Sequence, residues 1–187
     1  MPKTVIAPAL FSPVMPVSIV GAQVDGKPNF MTVAWVSRVN FDPPMIGVAI
    51  GAGHHTPKGI RETKTFSVCL PGADLLEKTD YCGLVSGARV DKSGLFQVFY
   101  GEIETAPMIA ECPLCAECLV ARVVDLPSNL LFVGTVTAVH ADPAILVDGK
   151  PDPAKMAPFL LTMPDNRYWK LGETVGKAWS VGKALKK

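Results

Sequence analysis

Charge is scarce in this sequence and nearly balanced. Charged residues make up 19% of the 187 residues, and 18 Lys and Arg against 17 Asp and Glu give a formal net charge of +1. A chain without a basic excess lacks the electrostatic footprint of nucleic-acid binding. The hydrophobic fraction of 49% also excludes intrinsic disorder and predicts a large core. Because the length is close to that of one typical domain, we expect a single domain over residues 1–187.

A long uninterrupted hydrophobic run is also missing. The stretch from Thr4 to Val24 carries no charge, but Pro8, Pro13 and Pro16 interrupt it. Prolines at that spacing break the helix that a membrane span or a signal peptide requires. We therefore expect a cytoplasmic protein with no membrane association. The odd number of cysteines, five, predicts reduced thiols rather than a disulfide framework.

Common signatures of nucleotide binding and hydrolysis are absent too. Neither G-x-x-x-x-G-K-[ST] nor G-x-G-x-x-G occurs, which leaves a P-loop or a Rossmann fold without a motif. His54 and His55 are adjacent and the third histidine is His140, so no three-ligand zinc site is expected. Residues 178–182 (AWSVG) resemble a nucleophile elbow, yet no acid or histidine follows them, which excludes a hydrolase triad.

Glycine and proline, 16 and 17 residues, divide the chain into short segments. β-Branched residues in these segments predict many short strands, and the predicted fold class is mainly β (α+β), a barrel with a few short helices. Thr56 as N-cap predicts a helix at 57–64, and Asp74 in a capping box predicts one at 74–82. The predicted strands cover residues 16–24, 29–39, 45–50, 65–70, 96–100, 116–124, 131–139, 158–162 and 168–170, with a turn at 25–28. Residues 141–157 are predicted to form a surface loop, and the lysine-bearing tail 177–187 a solvated helix face.

Two segments have the composition of an anion site. Residues 49–60 combine a strand, a Gly-rich loop and a helix start, where the Thr56 hydroxyl, backbone N–H groups and the helix dipole favour a phosphate. Lys58, Arg61 and Lys64 add positive charge nearby. The alternative is an ordinary capped surface helix. Residues 83–92, with two glycines and several hydrogen-bond donors, indicate either a second anion contact or a polar connector.

Cys112, Cys115 and Cys118 have the spacing C-x2-C-x2-C, which is typical of iron–sulfur and other metal sites. Arg122 stands where the ferredoxin pattern has its fourth cysteine. The competing interpretation is three small buried thiols. A metal–thiolate protein is therefore kept as a third hypothesis for function.

Taken together, these segments resemble the flavin-reductase-like family of FMN-binding split β-barrel proteins, and within it the flavoredoxin branch. The resemblance spans most of the chain and rests on the order and spacing of short runs. These runs are residues 16–21 (PVSIVG), 26–35 (GKPNFMTVAW), 42–44 (DPP), 55–56 (HT), 66–71 (FSVCLP), 82–87 (CGLVSG), 90–92 (VDK), 132–134 (FVG), and 158 through the tail 168–172 (YWKLG).

The resemblance implies a homodimer with non-covalent FMN and no catalytic side chain, because the chemistry is carried by flavin N5. The residues implied to lie along the flavin and its ribityl chain are Asn29, Met31, Thr32, Ala34 and Trp35. Ala49, Ile50 and Gly51 would offer backbone groups, His55 and Thr56 would approach the phosphate, and Ser86, Gly87 and Lys92 would close the site.

Two functional hypotheses follow from that resemblance. The first is an oxidoreductase that uses NAD(P)H to reduce free flavin or another acceptor through FMN. The second is a flavoredoxin-like electron carrier that a protein partner reduces. Asn129 bears on the choice, because many members of the family carry histidine there, on the nicotinamide side. A second departure is Cys69, where relatives often have asparagine.

Overall fold

The frame of the molecule is an antiparallel sheet of seven strands that curls on itself. The computed structural model describes residues 1–11 and 13–185. In these residues the strands are β1 (Val14–Pro16), β2 (Ser18–Val24), β3 (Lys27–Val33), β4 (Val36–Asn40), β5 (Met45–Gly51), β6 (Thr65–Leu70), β7 (Val98–Phe99), β8 (Met108–Ile109), β9 (Leu114–Asp125), β10 (Asn129–Ala141), β11 (Leu146–Val147), β12 (Lys150–Pro151), β13 (Phe159–Thr162) and β14 (Arg167–Lys170). The α-helices are α1 (Thr56–Thr63), α2 (Leu76–Leu84) and α3 (Pro153–Met156).

The strand order shows why the sheet must close. It runs β3-β2-β6-β9-β10-β5-β4, so β3 and β4 are the two edge strands, yet they are consecutive in the chain. Two residues, Ala34 and Trp35, join them. Such a short link spans at most about 10 Å, so the two edges must meet. The predicted mainly β barrel is confirmed, and its seam lies between β3 and β4.

Two apolar clusters fill this frame. The first cluster lies along the central strands and includes Val20, Phe66, Cys118 and Phe132. The second cluster lies under α2 and the segment 95–112, and it includes Ile19, Phe30, Cys69 and Met108. Alternate residues of β2 and β6 enter different clusters, because successive side chains of a strand point to opposite faces. These strands are therefore covered on both faces.

The seam explains one error of the sequence analysis. Residues 29–39 were expected to form one strand, but Ala34 and Trp35 turn the chain, and β3 and β4 lie at opposite edges of the sheet. The turn predicted at 25–28 is shorter in the structure: Asp25 and Gly26 turn the chain at positive φ, and Lys27 and Pro28 already belong to β3. The strand at 65–70 is confirmed to the residue. The expected strand at 96–100 shrinks to Val98–Phe99.

Both helix starts also differ from the prediction. Thr56 is the first residue of α1 and His55 occupies the N-cap position, so the Thr56 hydroxyl does not cap the helix. Asp74 forms no capping box, because a 3-10 turn over Ala73–Leu75 precedes α2 and no side chain caps it. Tertiary contacts hold α2 in place instead, including a hydrogen bond from the Thr32 hydroxyl to the Thr79 carbonyl.

The segment 141–157 is more ordered than the predicted loop. It contains the β11–β12 hairpin and α3. Asp142 accepts a hydrogen bond from the Ala144 N–H, and Asp152 accepts from Ala154 and Lys155, so short aspartate caps organise it. The tail carries a 3-10 turn over Val181–Leu185 and is exposed, while Lys186 and Lys187 lie outside the described residues. Among the described helices, none is long and apolar enough to cross a membrane.

A buried carboxylate fastens the loop between β7 and β8 to the frame. Glu117 of β9 is fully buried and lies 2.6 Å from His140 Nε2 of β10. It also accepts hydrogen bonds from the N–H groups of Ile103 at 2.6 Å and Glu102 at 3.3 Å. A Cβ at Gly101 would overlap this carboxylate. Burial alone would raise the pKa of Glu117, but the hydrogen bonds from His140, Ile103 and Glu102 lower it below its usual value.

We predict that Glu117→Gln destabilises the fold most at neutral pH. The loss of charged hydrogen bonds costs on the order of 1–3 kcal/mol. The pKa of Glu117 in the folded protein lies below the ordinary value of 4.5. The extra free energy of unfolding of the wild type is therefore fully present above about pH 4.5 and is lost as the pH falls through the folded pKa. Urea unfolding at about pH 7 and about pH 3 measures the difference, with exposed Glu104→Gln as control. An equal gap at both pH values would contradict the prediction.

Candidate functional site

The corner at Ala34 and Trp35 forms one wall of a groove along the seam. The Ala49 N–H of β5 donates to the Trp35 carbonyl at 2.9 Å, which fixes the corner. The Trp35 side chain remains 55% exposed, so its ring is available to the groove. The groove has a volume of about 420 Å³. Its lining residues are Met15, Met31, Thr32, Val33, Ala34, Trp35, Ala49, Ile50, Gly51, His54, Asn129, Leu161 and Met163.

A narrower, more polar pocket continues the groove. The two share Met31 and His54 as lining residues, so they adjoin each other. The pocket lies between the start of α1 and the residues after α2. Its other lining residues are His55, Thr56, Cys82, Gly83, Val85, Ser86, Gly87 and Lys92.

Asn29 connects the strands to the helix at this pocket. Its side-chain Nδ2 donates to Thr56 Oγ1 at 2.9 Å, and both residues are buried. A Cβ at Gly87 would overlap the Asn29 amide, so the 86–87 loop can approach only because residue 87 has no side chain. The arrangement places the Thr56 hydroxyl, the positive end of α1 and the backbone of the 86–87 loop around one small volume.

Lys92 supplies the cation of this pocket. It is buried, and its Nζ donates to the carbonyls of Cys82 at 3.1 Å and Val85 at 3.0 Å. An ammonium group has three N–H donors, so one donor is left beyond these two bonds. Burial lowers the pKa of Lys92. A buried cation of this kind gains from a nearby anion, because water screens it poorly.

The other expected cations are used elsewhere. Lys58 forms an ion pair with Asp25 at 2.6 Å, and Arg61 forms one with Asp125 at 2.5 Å. Lys64 ends α1 with a φ of +60°. The Lys58 N–H also donates to the His55 carbonyl. The positive charge predicted from these three residues therefore does not line the pocket, and Lys92 takes that role.

The expected site residues converge, with two differences in how they are used. The Ile50 side chain is almost fully buried in the first cluster, which leaves its backbone for the role the resemblance implies, whereas the Thr32 hydroxyl donates to the Thr79 carbonyl of α2. The residues that line the groove or pocket as expected are Met31, Thr32, Ala34, Trp35, Ala49, Ile50, Gly51, His55, Thr56, Ser86, Gly87 and Lys92. Asn29 lies directly behind the pocket. Their functional roles stay a prediction.

Sequence reasoning missed His54 as a site residue, although it lies where groove and pocket meet. A Cβ at Gly51 would come within 2.8 Å of His54 Cδ2, so Gly51 makes room for that ring. Met15, Leu161 and Met163 were also missed. They come from β1, from β13 and from the residue after β13, and their pairing is long-range and carries no local signal. Asn129, singled out as a departure from the family, lines the groove opposite Gly51.

The cysteine run does not form a metal site in the described part of the chain. Cys118 belongs to the first cluster, whereas Cys112 and Cys115 belong to the second, so the three side chains do not converge. No group of three or more His, Cys, Asp or Glu side chains is arranged to hold a metal ion in residues 1–11 and 13–185. All five cysteines are unpaired and buried.

A family model of the flavin reductase like domain matches residues 12–154. The chain therefore belongs to the flavin reductase-like family. Among curated relatives, an uncharacterised protein of Archaeoglobus fulgidus is 37% identical over 129 residues, which cover 67% of this chain and 72% of the relative.

Solved structures give the same assignment over the whole chain. A flavoredoxin from Methanosarcina acetivorans is 52% identical with a TM-score of 0.98, and the match covers 100% of both chains. A flavoredoxin of Desulfovibrio vulgaris is 30% identical with a TM-score of 0.90, covering 98% of this chain and 100% of the other. An FMN-binding protein from Thermus thermophilus is 23% identical with a TM-score of 0.80, covers 95% and 98%, and shares the fold.

Proposed function

We propose that this chain is an oxidoreductase that holds FMN, without a covalent bond, in the groove and the adjoining pocket. The observation that carries the proposal is that an apolar slot of about 420 Å³ adjoins a polar pocket with one buried cation. A flavin ring needs an apolar slot, and a phosphate needs N–H groups and positive charge. Membership of the flavin reductase-like family supports the flavin, and the polar pocket supports the phosphate.

The residues that line the groove and the pocket fit FMN. Met31, Ala34 and Trp35 would form the apolar walls, and the backbone around Ala49 and Gly51 would meet the polar edge of the ring. Thr56, His55, Ser86 and Lys92 would hold the phosphate, together with the backbone at Gly87, which approaches Asn29 because it has no side chain. Bound FMN supplies the redox chemistry, since its ring system accepts and releases a hydride or electrons.

In this proposal the protein itself binds FMN and orients it. Trp35 and Met31 exclude water from the slot, while Asn29 holds the Thr56 hydroxyl in position through its 2.9 Å hydrogen bond. Lys92 stays in place because two carbonyls fix its Nζ. No side-chain acid or base is required to pass a hydride to a flavin, and we assign no catalytic residue.

We predict that Thr56→Ala weakens FMN binding by about 1 kcal/mol or more, roughly fivefold, because it removes a phosphate hydrogen bond. Quenching of flavin fluorescence on titration measures the affinity. Thr56→Ser keeps the hydroxyl and should bind nearly as wild type. Thr63→Ala, at the other end of α1, is the matched control. Unchanged affinity of Thr56→Ala would remove Thr56 from the site.

The electron donor separates two versions of this function. In the first, NAD(P)H reduces the flavin directly. In the second, the chain is a flavoredoxin-like carrier that takes electrons from a protein partner. Two observations favour the second version. The chain is 52% identical over its full length to a flavoredoxin, and Asn129 lines the groove where the family resemblance implies histidine.

Anaerobic mixing distinguishes these versions. We expect NADH and NADPH to bleach the bound flavin slowly, and dithionite or a reduced ferredoxin to bleach it promptly. Asn129→His should accelerate the reaction with NAD(P)H if the residue controls nicotinamide use. Prompt bleaching of the wild type by either nicotinamide would instead establish the reductase version.

We also propose that the chain acts as a single domain in a cytoplasmic homodimer. Apolar side chains are exposed at Val39 and Phe41 and on the tail at Val175 and Trp179. An apolar cavity of about 750 Å³ adjoins the groove and shares Trp35 with it. Apolar surface of this extent favours contact with a second copy. Sedimentation velocity should give about twice the chain mass of 19.9 kDa, and a monomer at all concentrations would contradict the homodimer.

A further inference from the structure

Three thiols meet outside the groove, at one end of the second apolar cluster. Cys69 lies near the end of β6, Cys115 lies near the start of β9, and Cys112 lies in the turn before β9. Their exposed fractions are 0%, 2% and 5%. All three belong to the second apolar cluster, and Cys115 Sγ lies 4.0 Å from the Cys112 carbonyl oxygen. The proposed flavin function uses none of these three side chains.

The strand register brings two of these thiols directly opposite each other. β6 and β9 are antiparallel, and Cys69 and Cys115 are Cα partners in their ladder. Directly opposed residues of an antiparallel pair have Cα atoms about 4.5–5.5 Å apart and side chains on the same face. Disulfide bonds join cysteines whose Cα atoms lie about 4.4–6.8 Å apart. The backbone of this pair therefore already has the spacing of a disulfide.

The surroundings favour reaction at this pair. Cys115 Sγ donates to the Ile109 carbonyl at 3.4 Å, and the Ser67 hydroxyl lies 4.0 Å from Cys69 Sγ. Burial alone would raise the pKa of the Cys69 thiol, but a hydrogen bond from Cys112 stabilises its thiolate and lowers the pKa well below the usual value. Burial raises the pKa of Cys82 to about 11. A thiolate is the nucleophilic form, so Cys69 is the reactive member.

We propose that Cys69 and Cys115 form a reversible disulfide bond when the protein meets hydrogen peroxide. The Cys69 thiolate attacks one peroxide oxygen, the O–O bond breaks, and the hydroxide released takes up a proton as water. The Cys115 sulfur then attacks the resulting sulfenic acid, the S–S bond forms, and a second water leaves. Overall, two thiols and one peroxide give one disulfide and two waters. A dithiol reductant reverses the bond by exchange.

The other cysteines are arranged differently. Cys118 follows Cys115 by three residues on β9, so its side chain enters the first cluster on the opposite face. Cys82 lies on α2, and its carbonyl holds Lys92. Cys112 is close enough to compete for Cys69, but it lies in the turn outside the ladder. The register therefore selects Cys115 as the partner.

The test is peptide mapping of the full chain after peroxide treatment. Remaining thiols are blocked with iodoacetamide under denaturing conditions, and the chain is digested with trypsin. Cleavage after Lys and Arg puts Cys69 in peptide 65–78 and Cys112, Cys115 and Cys118 in peptide 93–122. We expect a cross-link between these peptides, a loss of about 2 Da for the two hydrogens removed, and reversal by dithiothreitol. Fragmentation should assign the bond to Cys115.

Variants make the result specific. Cys69→Ala and Cys115→Ala should both abolish the cross-link, whereas Cys118→Ala, the buried control on the same strand, should keep it. A link through Cys112 in the wild type, or its persistence in Cys115→Ala, would overturn the pairing. Five free thiols after peroxide treatment would overturn the proposal itself. Because the readout is a peptide mass, the result does not depend on the proposed flavin function.

Discussion

Closure of the seven-stranded sheet is the constraint on which the rest of the structure depends. β3 and β4 are joined by two residues and yet occupy opposite edges, so the sheet has to curl until those edges meet. Hydrogen bonding across the other strand pairs fixes the curl, and the Ala49 N–H binds the Trp35 carbonyl at the corner. Without this closure, the residues of β3 and β5 would not face a common space. The seam is therefore both a requirement of the topology and the place where the groove forms.

The polar pocket depends on closure of the sheet indirectly, through the edge strand β3. Asn29 is on β3, Thr56 begins α1 and Gly87 follows α2, so three separate segments must arrive together. One hydrogen bond from Asn29 to Thr56 and the missing side chain at Gly87 let them do so. Lys92 then brings a buried cation, held by two carbonyls, to the same place. Different parts of the chain thus build the apolar walls of the groove and the cationic pocket. The two meet at Met31 and His54, which line both.

Sequence patterns predicted correctly those features that depend on neighbouring residues, and failed for features that depend on contacts distant in sequence. The strand at 65–70 is correct because β-branched and apolar residues fill it and Lys64, at positive φ, and Pro71 bound it. The capping box at Asp74 was wrong because Asp74 lies inside a 3-10 turn over Ala73–Leu75, and Leu75 takes the N-cap position of α2. Lys58 and Arg61 were placed near the phosphate because both lie near the helix start. Their carboxylate partners, Asp25 and Asp125, are distant in sequence. Only the fold shows that these ion pairs hold both cations away from the pocket. His54 was missed because its place between groove and pocket depends on Met31 of β3, which is distant in sequence.

The most direct measurement of the central claim is a calorimetric titration of flavin-free protein with FMN and, separately, with riboflavin. Two or more charge-assisted hydrogen bonds to the phosphate should make FMN bind at least about tenfold more tightly than riboflavin. The account predicts one FMN per chain together with that preference. Equal affinity for the two flavins, or no uptake of FMN, would contradict it.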